Sequence, residues 1–534
     1  MSSSADELFM PRVARVLRAA ARALRAADEA LTSSFDRAFE PGANPWRHLG
    51  SLAMLCLAIA VASGIVAYAL YDTSLAGAYE SGRRLQAEPR LLGPLLRGLH
   101  RYSADAFMLL TVLHLVREGA RGHFAAVRWF SWLTGLPAAW LLWIAGLTGL
   151  WLLWDERSLY SLAASAEWLH ALPLAGESPA RNFATAGSMN DRFFSLLMFV
   201  HIGVPLLLLG AVWVHLQRLA GPKLWPPRSL ALGCTALLAA LAVFVPAQSL
   251  GRASVAHVPE TLGLDWFFQF AHPLSDVLTA QGAWLAAGAV TVLLALLPLL
   301  PVRPKLAPAS VDLRNCNGCA RCAADCPFGA VVMVPRSDGR HHARQASVVE
   351  DLCAACGICV GACPSSTPFR SLPDLVSGIE LPDEPVAAMR ERLEVEVARL
   401  SGERKVVVFA CREAAQLGAL ADAATAVLPM RCAAMVPPSF LEYALRLGAD
   451  GALIAGCRES DCEFRLGDRW VRGRLGGGRE PRLRAAAPRE RIATIWPGSN
   501  PAGARAALAS FREALPHGPI RRPGAPAFSE RGSS

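Results

Sequence analysis

Four histidines constrain this chain more than any other feature: His100 and His114, then His201 and His215. Each pair is 14 residues apart and lies in a segment apolar enough to span a bilayer. In an α-helix that interval makes nearly four turns, so both members of a pair face almost the same side, about 21 Å apart along the axis. Two such helices side by side would hold two metal cofactors, one above the other, across most of a membrane. A lone histidine on an apolar face is ordinarily structural. An ionisable group inside a membrane span is a functional candidate, and the repeated interval makes ligation the better reading. The four residues spell a transmembrane two-haem wire.

Length and composition frame that reading. The 534 residues exceed one ordinary domain and predict three or more. They are 53% hydrophobic, with the apolar residues concentrated in the first three hundred positions. A net charge of +9 invites nucleic acid as a partner, but the basic residues flank hydrophobic spans and no nucleic-acid motif accompanies them. Membrane lipid is the partner they fit. Of 14 cysteines, 12 follow residue 310 in tight clusters, a pattern of metal ligands in a reducing compartment rather than a disulfide framework. Some fifty residues precede the first long apolar run, so no signal peptide is expected.

Residues 1–48 read as an amphipathic N-terminal helix with Val16, Leu24 and Leu31 on its apolar face, suited to lie on the cytoplasmic leaflet. A multi-pass, all-α helical membrane domain follows over 49–300. Six spans are expected near 49–71, 100–117, 132–154, 193–217, 229–250 and 281–300. Basic residues in the loops 117–131 and 218–228, with Arg303 and Lys305 after the last span, predict that these loops and both termini lie in the cytoplasm, at a prokaryotic inner membrane.

Glycines repeat the histidine interval. Gly50 and Gly64 on the first span, and Gly135 and Gly149 on the third, are again 14 residues apart. Glycine lets a porphyrin edge approach the backbone. Small-residue helix packing is the competing explanation, and the matched interval favours cofactor clearance.

Residues 36–220 resemble the N-terminal four-helix half of cytochrome b from bc-type quinol:cytochrome complexes. The resemblance is carried by Gly50-Ser-Leu, Ser63-Gly64, Arg97-x-x-His100, His114-x-x-Arg117, Thr134-Gly135, Thr148-Gly149, Trp154-Asp155, Arg192-Phe-Phe, His201 with Pro205, and His215. It implies two b-type haems, an outer one held by His100 and His201 and an inner one by His114 and His215. Bis-histidine ligation leaves no open coordination position, which suits electron transfer. His48, His123, His170, His257 and His272 lack the spacing and stay outside the ligand set. The loop after Asp155 departs from the family's quinol-site helix pair. Leu264-Asp265-Trp266-Phe267-Phe268 resembles the Pro-Glu-Trp-Tyr segment of the family's C-terminal half, which makes Asp265 a candidate proton acceptor for a quinone.

Over 311–368, an α+β module, Cys316-x-x-Cys319-x-x-Cys322-x-x-x-Cys326-Pro recurs as Cys353-x-x-Cys356-x-x-Cys359-x-x-x-Cys363-Pro. This is the bacterial two-cluster ferredoxin pattern, in which the fourth cysteine of each run ligates the other cluster. One [4Fe–4S] cluster would take Cys316, Cys319, Cys322 and Cys363, the other Cys353, Cys356, Cys359 and Cys326. Structural zinc sites use separated Cys-x-x-Cys pairs instead.

After a linker over 369–404, residues 405–515 alternate strand and helix, the signature of an α/β domain with a parallel sheet. Cys411, Cys432 and Cys457 end three strands, and Cys462 follows. Open α/β sheets bind ligands beyond the carboxyl ends of their strands, so the four cysteines gather on one crest. The module resembles the delta subunit of methyl-viologen-reducing hydrogenase, through Phe409-Ala-Cys411, Cys432, Gly448-Ala-Asp-Gly451, Gly456-Cys457 and Asp461-Cys462. The resemblance implies one [2Fe–2S] cluster. It also implies electron exchange with a hydrogenase or formate dehydrogenase and a flavin-containing, heterodisulfide-reductase-like subunit. Residues 516–534, rich in Pro, Gly and Arg, read as a disordered tail.

The expected whole is a membrane-bound conductor linking the quinone pool, through two haems and three clusters, to a cytosolic flavo-iron-sulfur oxidoreductase. It has no substrate-converting site of its own, and the reading leaves room for a homodimer. The rival is a membrane anchor or redox-sensing subunit without quinone turnover.

Overall fold

The apolar runs of the first three hundred residues fold as helices, because unbroken hydrophobic sequence with no water to bond its backbone must satisfy its own hydrogen bonds. The computed structural model describes residues 3–88, 91–172, 189–256, 259–301, 306–414, 417–458, 461–498 and 500–516. His257, Arg303, Lys305 and residues 517–534 lie outside them. Contacts divide the chain into one unit of residues 1–217 and 222–304 and another of 305–534 with Arg218–Gly221.

The first unit is helical among its described residues: α1 (Ser3–Ala38), α2 (Leu49–Leu70), α3 (Gly77–Ala87), α4 (Leu92–Ala120), α5 (Trp129–Trp151), α6 (Glu156–His170), α7 (Asp191–Leu216), α8 (Arg228–Phe244) and α9 (Ala271–Leu296). Its principal pairings are α2 along α4 and α5 along α7. Those pairings set each glycine-bearing helix against a histidine-bearing one.

Four segments are long and apolar enough to cross a membrane: Leu49–Leu70, Ala126–Trp151, Asp191–Leu216 and Ala271–Leu299. The other two expected spans differ for visible reasons. Helix α8 has only 17 residues. Helix α4 carries charges that are paired inside the unit: Arg97 donates to Gln86 Oε1 at 2.9 Å and Ser249 Oγ at 2.7 Å, and Arg101 reaches Asp105 at 3.1 Å. Helix α9 breaks at Thr279 (φ 63°), so its apolar run begins close to the expected residue 281.

Helix α1 is tied down near its C-terminal end. Asp28 is buried, accepting from Trp46 Nε1 at 2.8 Å with Arg117 Nε 3.5 Å away. Val16, Leu24 and Leu31 remain exposed. The segment after Asp155 is a helix rather than an open loop. Asp155 accepts from the Ser158 backbone at 2.9 Å, and the Ser158 hydroxyl returns to the cap, a capping box that starts α6.

The second unit begins with two short antiparallel ribbons. β1 (Ser310–Val311) pairs with β4 (Ile379–Glu380), and β2 (Val331–Pro335) with β3 (Arg344–Val348). Two five-residue helices, α10 (Arg321–Asp325) and α11 (Ile358–Ala362), lie within the two cysteine runs and pack together. The expected linker holds α12 (Val386–Arg399), whose Met389 and Leu393 are fully buried in the core.

Beyond it, β5 (Val406–Cys411), β6 (Thr425–Met430), β7 (Gly451–Ala455) and β8 (Ile492–Ile495) form a parallel sheet in the order β6-β5-β7-β8. Every residue of β5 and β7 is buried, as a central strand covered on both faces requires. Helices α13 (Pro438–Arg446), α14 (Gly467–Leu475) and α15 (Pro501–Ala514) complete the domain. The sequence reading anticipates β5 to β7 but not β8.

Candidate redox centres

The helix pairings bring the four glycines onto the four histidines. A Cβ on Gly64 would stand 2.9 Å from Cε1 of His100, and one on Gly149 2.7 Å from Cε1 of His201. At Gly50 and Gly135 the distances to Cε1 of His114 and His215 are both 3.4 Å. Each glycine thus lies against the imidazole ring of the facing helix.

The rings are also held from behind. Nδ1 of His100 lies 2.9 Å from the Ala60 carbonyl, and Nδ1 of His201 lies 3.1 Å from that of Ala145. Both carbonyls sit four residues before the facing glycine. A ring that donates through Nδ1 presents a bare Nε2, the tautomer a metal needs. Hydroxyls of Ser63, Thr134 and Thr148, each one residue before a glycine, come within 3.3–3.4 Å of Nδ1 of His100, His215 and His201. His114 breaks the pattern: Leu49 precedes its glycine, and its Nδ1 faces the Glu118 carboxylate at 3.9 Å.

His100 and His201 bring their ring centroids to 6.3 Å, nearly perpendicular at 79°. That separation accommodates one metal atom bonded at about 2 Å to a nitrogen of each ring. His215 is within electrostatic reach of His114. The donor set fits a haem iron at each level.

The cysteines of the second unit fall into three groups. Cys322 is within electrostatic reach of Cys363, Cys319 and Cys316, and burial pushes its thiol up to about 12. Cys326, Cys353, Cys356 and Cys359 line one small pocket. Burial pushes Cys356 and Cys359 up as well. Thiols that resist ionisation on their own become ligands when a cationic iron core supplies the compensating charge.

The third group crowns the parallel sheet. Cys411 ends β5, while Cys432 and Cys457 lie two residues beyond β6 and β7. Sγ of Cys411 and Sγ of Cys457 are 3.6 Å apart. A Cβ on Gly467 would stand 2.7 Å from Sγ of Cys432 and 3.0 Å from Sγ of Cys462. Bonding to the neighbouring sulfurs of Cys432 and Cys457, with backbone N–H groups of Asp468 and Phe464, holds Cys462 well below the usual thiol range. Contact with Cys462 pushes Cys432 up, and contacts with Cys411 and then Cys462 push Cys457 up. Among the described residues no three His, Cys, Asp or Glu side chains close on a single-ion position. Two thiol pairs suit a two-iron cluster, with two cysteines for each iron.

Residues 36–221 match the family model for cytochrome b/b6/petB. That stretch of the membrane part resembles cytochrome b. Residues 315–367 match a 4Fe-4S dicluster domain, and residues 406–515 match the delta subunit of methyl-viologen-reducing hydrogenase. A chain from a hyperthermophilic respiratory Complex III is similar at 20% identity, with a TM-score of 0.40, over 47% of this chain and 74% of that one. Cytochrome b implies haem b, and the dicluster domain implies iron-sulfur clusters. The chain is an integral membrane protein of electron transfer.

Around α6, the structure places Asp265 differently from a free acceptor. It is buried, and its Oδ1 accepts from the backbone N–H groups of Phe267 and Phe268 at 3.0 and 2.7 Å. Its other oxygen meets Arg101. Nearby, Trp168 and His272 stack edge to face at 6.2 Å, and Nε2 of His272 lies 2.9 Å from the Ser161 hydroxyl. His272 Nδ1, Trp168 Nε1, Gln269 Nε2 and Asp105 Oδ1 are buried without a hydrogen-bond partner. From the sequence, His272 is set outside the haem ligands, Trp168 falls in the segment after Asp155 that could fill quinol-site space, and Gln269 and Asp105 are not singled out. The Arg101–Asp105 pair, charges four residues apart inside an expected span, was the available signal.

Proposed function

We propose that this protein exchanges electrons between membrane quinone and a cytosolic flavo-iron-sulfur oxidoreductase of heterodisulfide-reductase, hydrogenase or formate dehydrogenase type. The observation that carries the reading is the approach of His100 to His201 with both Nδ1 atoms bonded to backbone carbonyls. In this reading His100 and His201 hold the outer haem b, and His114 and His215 the inner one. Cys316, Cys319, Cys322 and Cys363 hold one [4Fe–4S] cluster, and Cys353, Cys356, Cys359 and Cys326 the other. Cys411, Cys432, Cys457 and Cys462 hold a [2Fe–2S] cluster.

Bound haem and iron-sulfur groups supply one-electron carriage at potentials set by ligands, hydrogen bonds and burial. The chain's own residues do the rest. Imidazoles fixed through Nδ1 lose no freedom when they ligate, and glycines at their faces keep the helices close enough to hold them. Basic loops facing the cytoplasm would put the inner histidines on the side of the iron-sulfur domains.

The quinone reading centres on the partnerless atoms around α6. A head group there would offer oxygens to Trp168 Nε1, Gln269 Nε2 and His272 Nδ1, and a buried polar group left unpaired costs free energy until such a partner arrives. His272 can take a proton without releasing a partner from Nδ1. Asp265 can accept one only if Arg101 moves off it, so its part is to hold Arg101 until then. The test is quinol added to purified, oxidised protein: reduction of the haems followed by reduction of the iron-sulfur centres supports the conductor, and reduction that stalls at the haems defeats it.

A further inference from the structure

The two ferredoxin cysteine sets occupy different settings in the second unit. The set with Cys356 is pressed against the crest of the parallel sheet. A Cβ on Gly361 would stand 2.0 Å from the Ala434 carbonyl, and one on Gly357 2.7 Å from Sδ of Met435. Arg474 donates to the carbonyls of Ile358 at 3.2 Å and Ala434 at 2.7 Å, joining the two backbones. Cys356 is within electrostatic reach of both Cys462 and Cys432.

The other set opens outward. Among the described residues Cys319 is the one exposed cysteine. The loop joining β2 to β3 folds over its ligand loop. Arg336 donates to the Cys316 carbonyl at 2.7 Å, and Arg340 to the Arg314 carbonyl at 2.9 Å. A Cβ on Gly318 would stand 2.3 Å from the Arg344 carbonyl. These contacts gather Arg314, Arg340, Arg344 and His341, all exposed, around Cys319. Residues 312–344 hold five arginines against Asp312 and Asp338, apart from Asp325, which is buried against Arg474.

We infer that this basic rim is a docking face for a small acidic one-electron carrier protein of ferredoxin type. The inference rests on reading the eight cysteines as two cubane sites. Charge complementarity commits the face to such a partner: a basic ring around an exposed ligand speeds encounter with an acidic protein and suits a transient contact. In the transfer, the reduced carrier would lose one electron to a cluster that Cys316, Cys319, Cys322 and Cys363 would hold. No atom is exchanged. The chain then has two soluble ports, this rim and the crest of the parallel sheet, with the Cys356 set between them.

The test is stopped-flow reduction of the full-length, cluster-loaded protein by a purified acidic ferredoxin reduced beforehand with dithionite. Arg314→Glu with Arg340→Glu is expected to slow reduction at least tenfold at low salt and to flatten its dependence on ionic strength. Arg399→Glu, on the exposed face of α12, is expected to leave the rate unchanged. Electron paramagnetic resonance of both cubanes should match wild type in each variant. Should the double variant lose clusters, Arg344→Glu alone is read in its place, with a smaller slowing expected. Equal rates in wild type and rim variants with intact cubane signals would overturn the docking face. So would an equal slowing by Arg399→Glu. Wild-type protein with no cubane signals at all would instead overturn the reading of the cysteines beneath it.

Discussion

Nδ1 of His114 lies 3.9 Å from a carboxylate oxygen of Glu118, whereas Nδ1 of His100 lies 2.9 Å from a backbone carbonyl. A carboxylate behind a ligating imidazole makes the ring a stronger donor and favours the oxidised metal. The Glu118 charge is partly offset by Arg128 at 3.7 Å, and His123 Nδ1 lies 2.5 Å from the same carboxylate. Glu118→Gln should therefore raise the midpoint potential of the inner haem by tens of millivolts, on the order expected for one shielded charge at an effective dielectric near 20. Potentiometric titration of the haem bands checks this, with the outer haem unmoved.

The glycine distances predict a graded response. Gly64→Ala and Gly149→Ala put a methyl group 2.9 and 2.7 Å from the outer histidines, closer than packing allows, and should remove the outer haem. Gly50→Ala and Gly135→Ala meet the inner rings at 3.4 Å, and should keep the inner haem with a modest change in its spectrum. Haem content measured in the four variants decides the matter.

A methyl group at Gly467 would intrude on Cys432 and Cys462 together, at 2.7 and 3.0 Å. Gly467→Ala should abolish the two-iron signal in low-temperature spectra while sparing the cubanes, whose ligands lie on other loops.

Arg474 and Asp325 form an ion pair at 2.6 Å with side chains 1% and 2% exposed. Arg479 also donates to Asp325, at 2.6 Å, so losing Arg474 leaves the carboxylate one cation and takes a donor from the Ala434 and Ile358 carbonyls, at a cost of roughly 1–3 kcal/mol. Arg474→Met should lower the unfolding midpoint of the iron-sulfur domains in urea, and Arg474→Met with Asp325→Leu should recover part of that loss.

Much of this arrangement is legible in the chain because its chemistry is periodic. The 14-residue interval puts His100 and His114 on one helix face, and the two cysteine runs announce themselves by spacing. Strand-end cysteines at 411, 432 and 457 meet because a parallel sheet aligns its carboxyl ends. What periodicity does not carry is harder to read. Ile492–Ile495 is too short to separate from a buried loop until β7 offers it an edge. Arg474 reaches Asp325 across 149 residues, a partnership no local pattern records. His272 lacks the ligand spacing, and only the fold shows that its Nδ1 is buried beside Trp168 with nothing to bond. The matched interval marks the four glycines as close-approach positions, and each lies against a histidine ring of the facing helix.

The central claim is that paired histidines hold two haems, and haem content in His100→Ala and His114→Ala tests it most directly. Membranes of the wild type should show a b-type spectrum equivalent to two haems per chain. Each variant should lose one haem, and the double variant both. Full haem content in both single variants would show that the histidine pairs do not hold the haems.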